Sequence, residues 1–580
     1  RLLIATLLFI TLGFSQNKGT ITGTLLDKDA GNESLPFANV VIKGTNTGTN
    51  TDIDGKYTLS VPPGKYTVIY SFLGYESIEV PVTVVANETQ TINQTLTAGG
   101  YTLQDVVITN TGGREKESAL LLEQKNAVVI KQSIGAQEMA RKGVSNVADG
   151  LKKMTGITEV GSRGLFVRGL EDRYNNLLVN NLATPSNNPY NKYISLDLFP
   201  SDIVGVIDVY KTFNPNIYGD FAGATFNIQT SRVAKSITKL SIGVGYTTNN
   251  NLENFLISED ADSAKGFFGL TAENRQLPSV FGSTPSSYTM TKDQSLNSYG
   301  GNKGFDVAST KSPLNTSLDF LNAEKYDLKN GGNFSYLLYL AFNNDFATTQ
   351  GEQNRFNNNP GGYVYSSEFF TTDYNYETSF SGLLGLNYKF NRLKLSYTGN
   401  YIKTTNSLIQ DQYGIANTSA STSPALIRTN QLDNTSYFNN QLIGEYALNE
   451  EETQNIKAGI SYAMTSYEQP DRKIFSGSTN GDSDITVSVS GNNFIRQYLD
   501  ITSDSYFSGM TEYNYEFGTE EKNKKLSVGY NGYNSEMTSS YRFVIPSQIA
   551  SDITTNVNNI DDSLNQLIAN GEFNWRESSN

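Results

Sequence analysis

Asn50, Asp52 and Asp54 put oxygen-bearing side chains at alternate positions ahead of Gly55. That is the first half of a calcium loop, in which such ligands alternate and a glycine makes the sharp turn. Val61, however, stands where the bidentate glutamate belongs, so the preferred reading of the same residues is a plain Asp-Gly hairpin turn. The neighbouring "DGKY" lacks the upstream glycine and the Ser/Thr of a phosphate loop, and nucleotide binding is not supported. Composition narrows the remaining chemistry further. The 580 residues include no His and no Cys, which removes imidazole bases and ligands, thiolate metal sites and disulfides. Carboxylates, lysines and tyrosines remain, and no spacing among them converges on an acid pair or a nucleophile. The expectation is no enzyme, no cofactor and no metal.

A different chemistry belongs to "YTLQDVVITN", residues 101–110. Leu103, Val106 and Ile108 carry the apolar pattern of a strand, and the flanks "TAGGY" and "NTGGREKE" are built to be flexible. An extended segment between folded units has backbone donors and acceptors to offer, to a partner by strand addition or to an edge of its own chain. The residues that would carry that pairing are Asp105, Val106, Val107, Ile108 and Thr109.

The elements around that segment differ sharply. Leu2 to Phe14 form an apolar run behind Arg1, with small residues before Gln16. A spanning helix needs about 20 residues, so residues 1–15 are predicted to be a secretory signal peptide. Residues 16–98 alternate apolar and polar positions between Gly, Pro, Asn and Asp turns, as in "GTITGTLLD" and "GKYTLSVPPGKYTVIYSFLGYES". That is the pattern of a small antiparallel sandwich. With 99–118 as a linker, residues 119–230 mix helix and strand. Ser145 is placed to cap a helix with Val147, Leu151 and Met154 on one face, and "LFVRGL", "NNLLVNN", "IVGVIDVYK" and "ATFNIQT" read as short strands. In "LVNNL", Asn180 and Asn181 can take up the positive φ of a tight turn.

From residue 231 to 580 period-two segments recur. "KLSIGVGYTT" sets Leu240, Ile242, Val244 and Tyr246 against Ser and Gly, and "NFSYLLYLAFNND" aligns Phe334, Tyr336, Leu338, Leu340 and Phe342. One apolar face with aromatic ends and one small or polar face is what a lipid-facing wall over a wet lumen requires. The polar stretches at 249–332, 404–436 and 468–492 are predicted as long outer loops with little regular structure. With a net charge of -14 and a pI near 4.8, attraction to nucleic-acid phosphate is not expected.

Three stretches carry resemblances. "TDIDGKYTLSVPPGKYTV" with a following "LGYE" resembles the carboxypeptidase-regulatory-like, prealbumin-type domain. The ordered set "KKMTGI", "VRGL", "LFPSDIVGVIDVYK" and "YGDFAGATFNIQT" resembles the plug domain of TonB-dependent outer-membrane receptors. Arg168 and Gly169 match its Arg-Gly pair, and Tyr218, Gly219 and Gly223 its closing motif. Ahead of it, residues 105–109 look like the TonB box of the same receptors.

The resemblance implies a Bacteroidetes-type receptor in the cell outer membrane. Its fold would be an incomplete all-β transmembrane barrel, preceded by an α+β plug and a small prealbumin-like β-sandwich. Its partners would be a periplasmic TonB-type energy transducer, outer-membrane lipid, and a small-molecule or oligosaccharide substrate, with a surface lipoprotein left open and no nucleic acid. It implies active import of a siderophore, glycan, cobalamin or peptide. A passive porin or adhesin and a ligand-sensing signal transducer stand as rivals.

Arg168 would pair with barrel-wall carboxylates or take part in plug release, with Arg163, Glu171 and Arg173 in the same network. Plugged transporters of this type have 22 strands, whereas residues 231–580 supply on the order of 12 to 14 at barrel spacing. The ending "GEFNWRESSN" lacks an aromatic last residue. The sequence-based expectation is therefore a C-terminally truncated receptor.

Overall fold

A computed structural model describes residues 18–97 and 117–578, apart from short stretches at 29–30, 32, 44, 46, 73–74, 76, 128–129, 161–163, 187–190, 195, 197–198, 232–235, 301–302, 330, 361, 417–422, 480–482, 489–492, 520–521 and 548–551. Residues 105–109 therefore lie outside the described residues, and so does Arg163. The chain divides into two units, Arg1–Thr109 and Asn110–Asn580.

In the first unit the alternation of Gly19–Asp27 becomes strict, every second residue being buried. This strand pairs with Lys56–Val61 antiparallel and with Thr89–Thr91 and Gln94–Leu96 in parallel. A second sheet, ordered Gly48–Asn50, Asn39–Ile42, Gly64–Ser71, Ile78–Val84, closes over it. Ile21, Leu25, Val40, Leu59, Val68 and Val82 fill the space between, which makes the predicted sandwich. The Asp-Gly turn is a turn in fact. Asp52 Oδ1 accepts from the amides of Asp54 (2.9 Å) and Lys56 (2.8 Å), and Gly55 sits at φ +74.

The second unit starts with a mixed sheet, ordered Lys131–Gly135, Val204–Tyr210, Thr225–Thr230, Asn176–Val179, Leu182–Ala183. Short helices at Ala136–Arg141 and Val147–Lys152 pack on it. Val147, Leu151 and Met154 are buried as predicted. The cap is Asn146 rather than Ser145: its side chain accepts from the Asp149 amide, while the Ser145 hydroxyl goes to the Asp149 carboxylate. Asn180 and Asn181 take φ +54 and +69 and turn Asn176–Val179 back into Leu182–Ala183.

The wall is an antiparallel meander of β1 (Ile237–Gly245), β2 (Asn315–Asp327), β3 (Asn333–Asn359), β4 (Gly362–Phe390), β5 (Leu393–Ile415), β6 (Ala425–Ala447), β7 (Gln454–Thr479), β8 (Phe494–Thr519), β9 (Lys522–Pro546) and β10 (Trp575–Ser578). Asp484–Val487 and Ile553–Asn556 add two short strands beside β7, giving a twelve-stranded sheet that ends at β1 and β10. At one end the connections are all short, at 328–332, 391–392, 448–453 and 520–521; at the other lie the long 246–314, 416–424, 480–493 and 547–574, with one short connection at 360–361. In outer-membrane barrels the short turns are periplasmic and the long loops extracellular.

The outer face keeps its predicted apolar row: Leu240 is 65% exposed, Ile242 75% and Val244 67%. The inner face departs from the expectation of small and polar residues. Leu337, Tyr339, Ala341, Leu383 and Ile402 are buried in one core with Val147, Leu151, Ile207 and Phe226 of the plug-like unit. "LLYLA" is apolar on both faces because it has lipid on one side and a packed domain on the other. Each large side chain so buried stabilises the contact by about 1.5–3 kcal/mol.

All three loop expectations are corrected as well. Residues 404–415 and 425–436 continue β5 and β6, and 468–479 continue β7, with the short strand Asp484–Val487 beyond. These strands, like the 27-residue β3 and 29-residue β4, far exceed the about 9–11 residues that cross a bilayer. Beyond the membrane both faces of a strand are wet, so a polar sequence no longer signals a loop there. The 249–332 stretch holds β2 and a folded lid. The pair Asn254–Ser258 and Val307–Lys311 and the helix Lys292–Tyr299 precede β2. The helix Ile560–Asn570 from the 547–574 loop joins them. Phe281, Met290, Tyr299, Phe305, Ile560, Leu564 and Ile568 share a core with Phe475, Phe494 and Trp575 of the wall.

Candidate functional site

The plug motif residues are brought together in part. Arg168 (φ +53) and Gly169 (φ +81) form a left-handed pair directly after Leu165–Val167. The amides of Val167 and Leu170 each donate to the other's carbonyl at 2.9 Å, closing the turn. A guanidinium partner was expected among the wall carboxylates. Instead Arg168 Nη1 donates to the Lys211 carbonyl (3.2 Å), and among the described residues it makes no ion pair. Arg173 and Glu171 form an exposed pair of their own at 3.6 Å.

Gly223 is held by a residue that sequence reading missed. Asn175 is fully buried; its Oδ1 accepts from the Ala224 amide (2.9 Å) and its Nδ2 donates to the Glu171 carbonyl (3.1 Å). A Cβ on Gly223 would lie 2.1 Å from Asn175 Oδ1 and 3.4 Å from Val167 Cβ. The glycine thus lets the closing loop lie against the Arg-Gly turn. Gly219 packs on Phe213. Tyr218 leaves this cluster and stands edge-on against Tyr533 of β9, ring centroids 5.5 Å apart.

Between this unit and the wall, polar ties are few and mostly uncharged. Asn180 Nδ2 donates to Gln441 Oε1 (2.9 Å), and Gln441 Nε2 donates to the Val179 carbonyl (3.0 Å). The Thr184 and Tyr437 hydroxyls meet at 2.6 Å, and Ser508 Oγ donates to the Ala183 carbonyl (3.0 Å). One exposed ion pair, Lys239 with Asp202 at 2.8 Å, stands at the rim. None of these hydrogen bonds is legible locally, since their partners lie 253 to 325 positions apart in the chain.

On the loop side of these ties is a cavity of about 380 Å³ between the unit and β7, β8 and β9. Tyr218, Tyr467, Tyr506 and Tyr533 line it, with Thr184 and Asp220. Tyr506 and Tyr533 stack at 11°. Lys192 also lines the cavity and is matched by Asp220 at 3.7 Å. Such an aromatic and hydroxyl lining can hold an amphipathic small molecule through ring stacking and hydrogen bonds.

Two family models and several relatives match parts of this chain. Residues 21–108 match the model of the CarboxypepD_reg-like domain, and residues 123–225 that of the TonB-dependent Receptor Plug Domain. The TonB-dependent receptor P39 of Formosa agariphila is 31% identical over 26% of this chain and 14% of its own length. The TonB-dependent receptor SusC of Bacteroides thetaiotaomicron is 40% identical over 14% of this chain and 8% of its own. The matches thus span a small part of those relatives. Among solved structures, the siderophore receptor PiuA from Acinetobacter baumannii aligns at 11% identity and a TM-score of 0.27, covering 72% of this chain and 62% of its own.

Proposed function

We propose that this chain, a Bacteroidetes-type TonB-dependent receptor of the outer membrane, actively imports a scarce nutrient, with the unit at 119–230 as its plug and the 380 Å³ cavity as the place where the nutrient waits. The substrate is a siderophore, glycan, cobalamin or peptide. A periplasmic TonB-type partner adds a strand to Asp105–Thr109, and its pull, drawn from the inner-membrane proton gradient, loosens the plug. The observation that carries this reading is the shared core of plug and inner wall. A passive pore has no use for a lumen filled by an α+β unit that shares its core with the wall. Adhesion would not require the cavity to sit beneath the loops.

The chain has no cysteine, which makes a lock simple to build. With cysteines at Asn180 and Gln441, oxidation should tie plug to wall and abolish energised uptake by cells while substrate binding persists, and reduction should restore uptake. Normal uptake by the oxidised protein would refute plug release. Val107→Pro, which deletes a backbone donor and adds a ring, should separately abolish uptake without changing surface display.

A further inference from the structure

Where the lid meets the wall, charged side chains are buried in unequal number. From the lid, Arg275 closes on Asp260 through Nε (2.7 Å) and Nη2 (2.8 Å), and its Nη1 donates to Asn430 Oδ1 of β6 (3.1 Å). From the wall, Arg496 of β8 gives Nη1 to Asp471 Oδ2 (2.5 Å) and Nη2 to the Lys303 carbonyl (2.9 Å). Its guanidinium carbon lies 4.1 Å from the Tyr299 ring centroid, 4.9 Å from Phe305 and 5.1 Å from Trp575. Asp471 takes φ +47 at a break in the β7–β8 register, the kind of bulge that re-aims a side chain.

Lys473 is the cation left over. It sits in register between Asn430 and Arg496, only 4% of its side chain is exposed, and its nearest carboxylate is Asp471 at 3.8 Å, already closed on Arg496. Three buried cations thus face two carboxylates. Two further buried donors in the same row, Arg496 Nε and Asn430 Nδ2, have no partner among the described residues. Every deficit has the same sign: acceptors and negative charge are missing. An unsatisfied buried donor is destabilising, and more so when charged. Burial, with Arg275 and Arg496 reinforcing it against the pull of Asp471, brings the Lys473 ammonium down to about 8. Burial alone would raise the Asp260 carboxyl, yet Arg275 holds it below the usual range. Beside this row is a cavity of about 240 Å³ lined by Arg275, Tyr299, Lys303, Asp471 and Tyr498, ample beside the about 30 Å³ that a water occupies in the liquid.

We propose that the seam between lid and wall is an oxyanion site, in which a carboxylate, sulfate or phosphate group enters this cavity beside Arg275 and Lys303 and supplies the negative charge that Lys473 and Arg496, which share the lining residue Asp471, lack. The site stands apart from the tyrosine-lined cavity, and its occupancy does not depend on whether the receptor transports.

The test uses the full-length receptor in detergent, titrated with sodium sulfate at constant ionic strength against sodium chloride and followed by thermal unfolding and calorimetry. Saturable sulfate binding is expected, weakened at least tenfold in Lys473→Met and kept in Lys473→Arg. Asn430→Asp, which builds a carboxylate into the row, should remove the sulfate response while leaving the protein at least as stable, so a misfolded Lys473→Met protein cannot hide the answer. Glucose 6-sulfate binding more tightly than both inorganic sulfate and glucose would assign the group to a larger ligand; inorganic sulfate binding equally well would assign the site to the free ion. Equal responses to sulfate and chloride, or full sulfate binding by Asn430→Asp, would overturn the proposal.

Discussion

Gly223→Ala tests whether the plug is held together as described. The new Cβ would lie 2.1 Å from Asn175 Oδ1 and 3.2 Å from its Cγ, so the asparagine side chain must leave its place. Its departure strands the Ala224 amide and frees the Glu171 carbonyl. Ala224 is fully buried, so the orphaned amide costs about 1–3 kcal/mol, and forcing a methyl into a filled core costs about 1–3 kcal/mol more. The plug should lose about 2–6 kcal/mol in total. Hydrogen exchange on the full chain in nanodiscs reads this directly, because each 1.4 kcal/mol is about tenfold in the opening equilibrium. Peptides covering 165–180 and 222–230 should exchange at least tenfold faster, with the wall strands unchanged. Asn175→Ala alone removes the same acceptor, so the double variant should be little worse than that single one. Parent-like exchange in Gly223→Ala, or costs that simply add in the double variant, would show that the two residues do not share one contact.

Ile460→Lys puts a charge on the lipid face of β7, where Ile460 is 64% exposed; folding into bilayers should weaken by about 2–4 kcal/mol at the midplane, measured by urea titration in liposomes. Arg542 is buried on β9 against the fully buried Glu577 and reaches the carbonyls of Phe281, Gly282 and Thr284. Arg542→Met should cost about 3–5 kcal/mol by stranding that carboxylate, seen as accelerated exchange at 281–286. Asp306 accepts from the Ile560 amide and Asp561 from the amides of Phe305 and Asp306, so two carboxylates interlock the two loops. Burial first, then Asp561 and Glu259, push Asp306 up to about 6. The closed lid therefore holds an extra proton between the ordinary carboxyl range, about 4, and about 6. The stability it lends is complete below that range and lost as pH rises through about 6. Exchange at 560–570, corrected for intrinsic rates, should accelerate severalfold from pH 5 to pH 7.5, and Asp306→Asn should flatten that dependence.

What could be read in advance was whatever repeats along the chain. The outward row of β1, the buried helix face at Val147 and Leu151, and the Asn180-Asn181 turn each depend on neighbours within a few residues, and each stands as expected. The failures share the opposite cause. The charge of Arg168 suggests a carboxylate partner, whereas the fold offers the Lys211 carbonyl across the turn. The lid reads as loose loops because no short window of it is periodic; its core joins Phe281 and Phe305 to Leu564 and Ile568, and only tertiary structure can bring such distant residues together. The tyrosine cluster of the 380 Å³ cavity is not legible in the sequence, since alternation tells inward from outward but not what stands opposite. Residues 105–109, on which the pulling mechanism turns, lie outside the described residues.

The plug and the lid are held to the wall by different physics, and this bears on how each would open. The plug meets the wall through apolar packing and mostly neutral hydrogen bonds such as Thr184 to Tyr437. Those contacts are short-ranged and weakly dependent on salt, and a force applied along the chain can break them one after another. The lid joins an apolar core to buried charges, Arg275, Lys473, Arg496 and Arg542, with Asp260, Asp471 and Glu577. Buried pairs are little screened by bulk salt, so they yield mainly to a competing charge delivered to the same spot. A ligand anion at the lid and a pull at the plug would then act in sequence on separate contacts. An anion should therefore change exchange at 272–303 without changing it at 176–183; an equal effect on both would mean that the closures move as one.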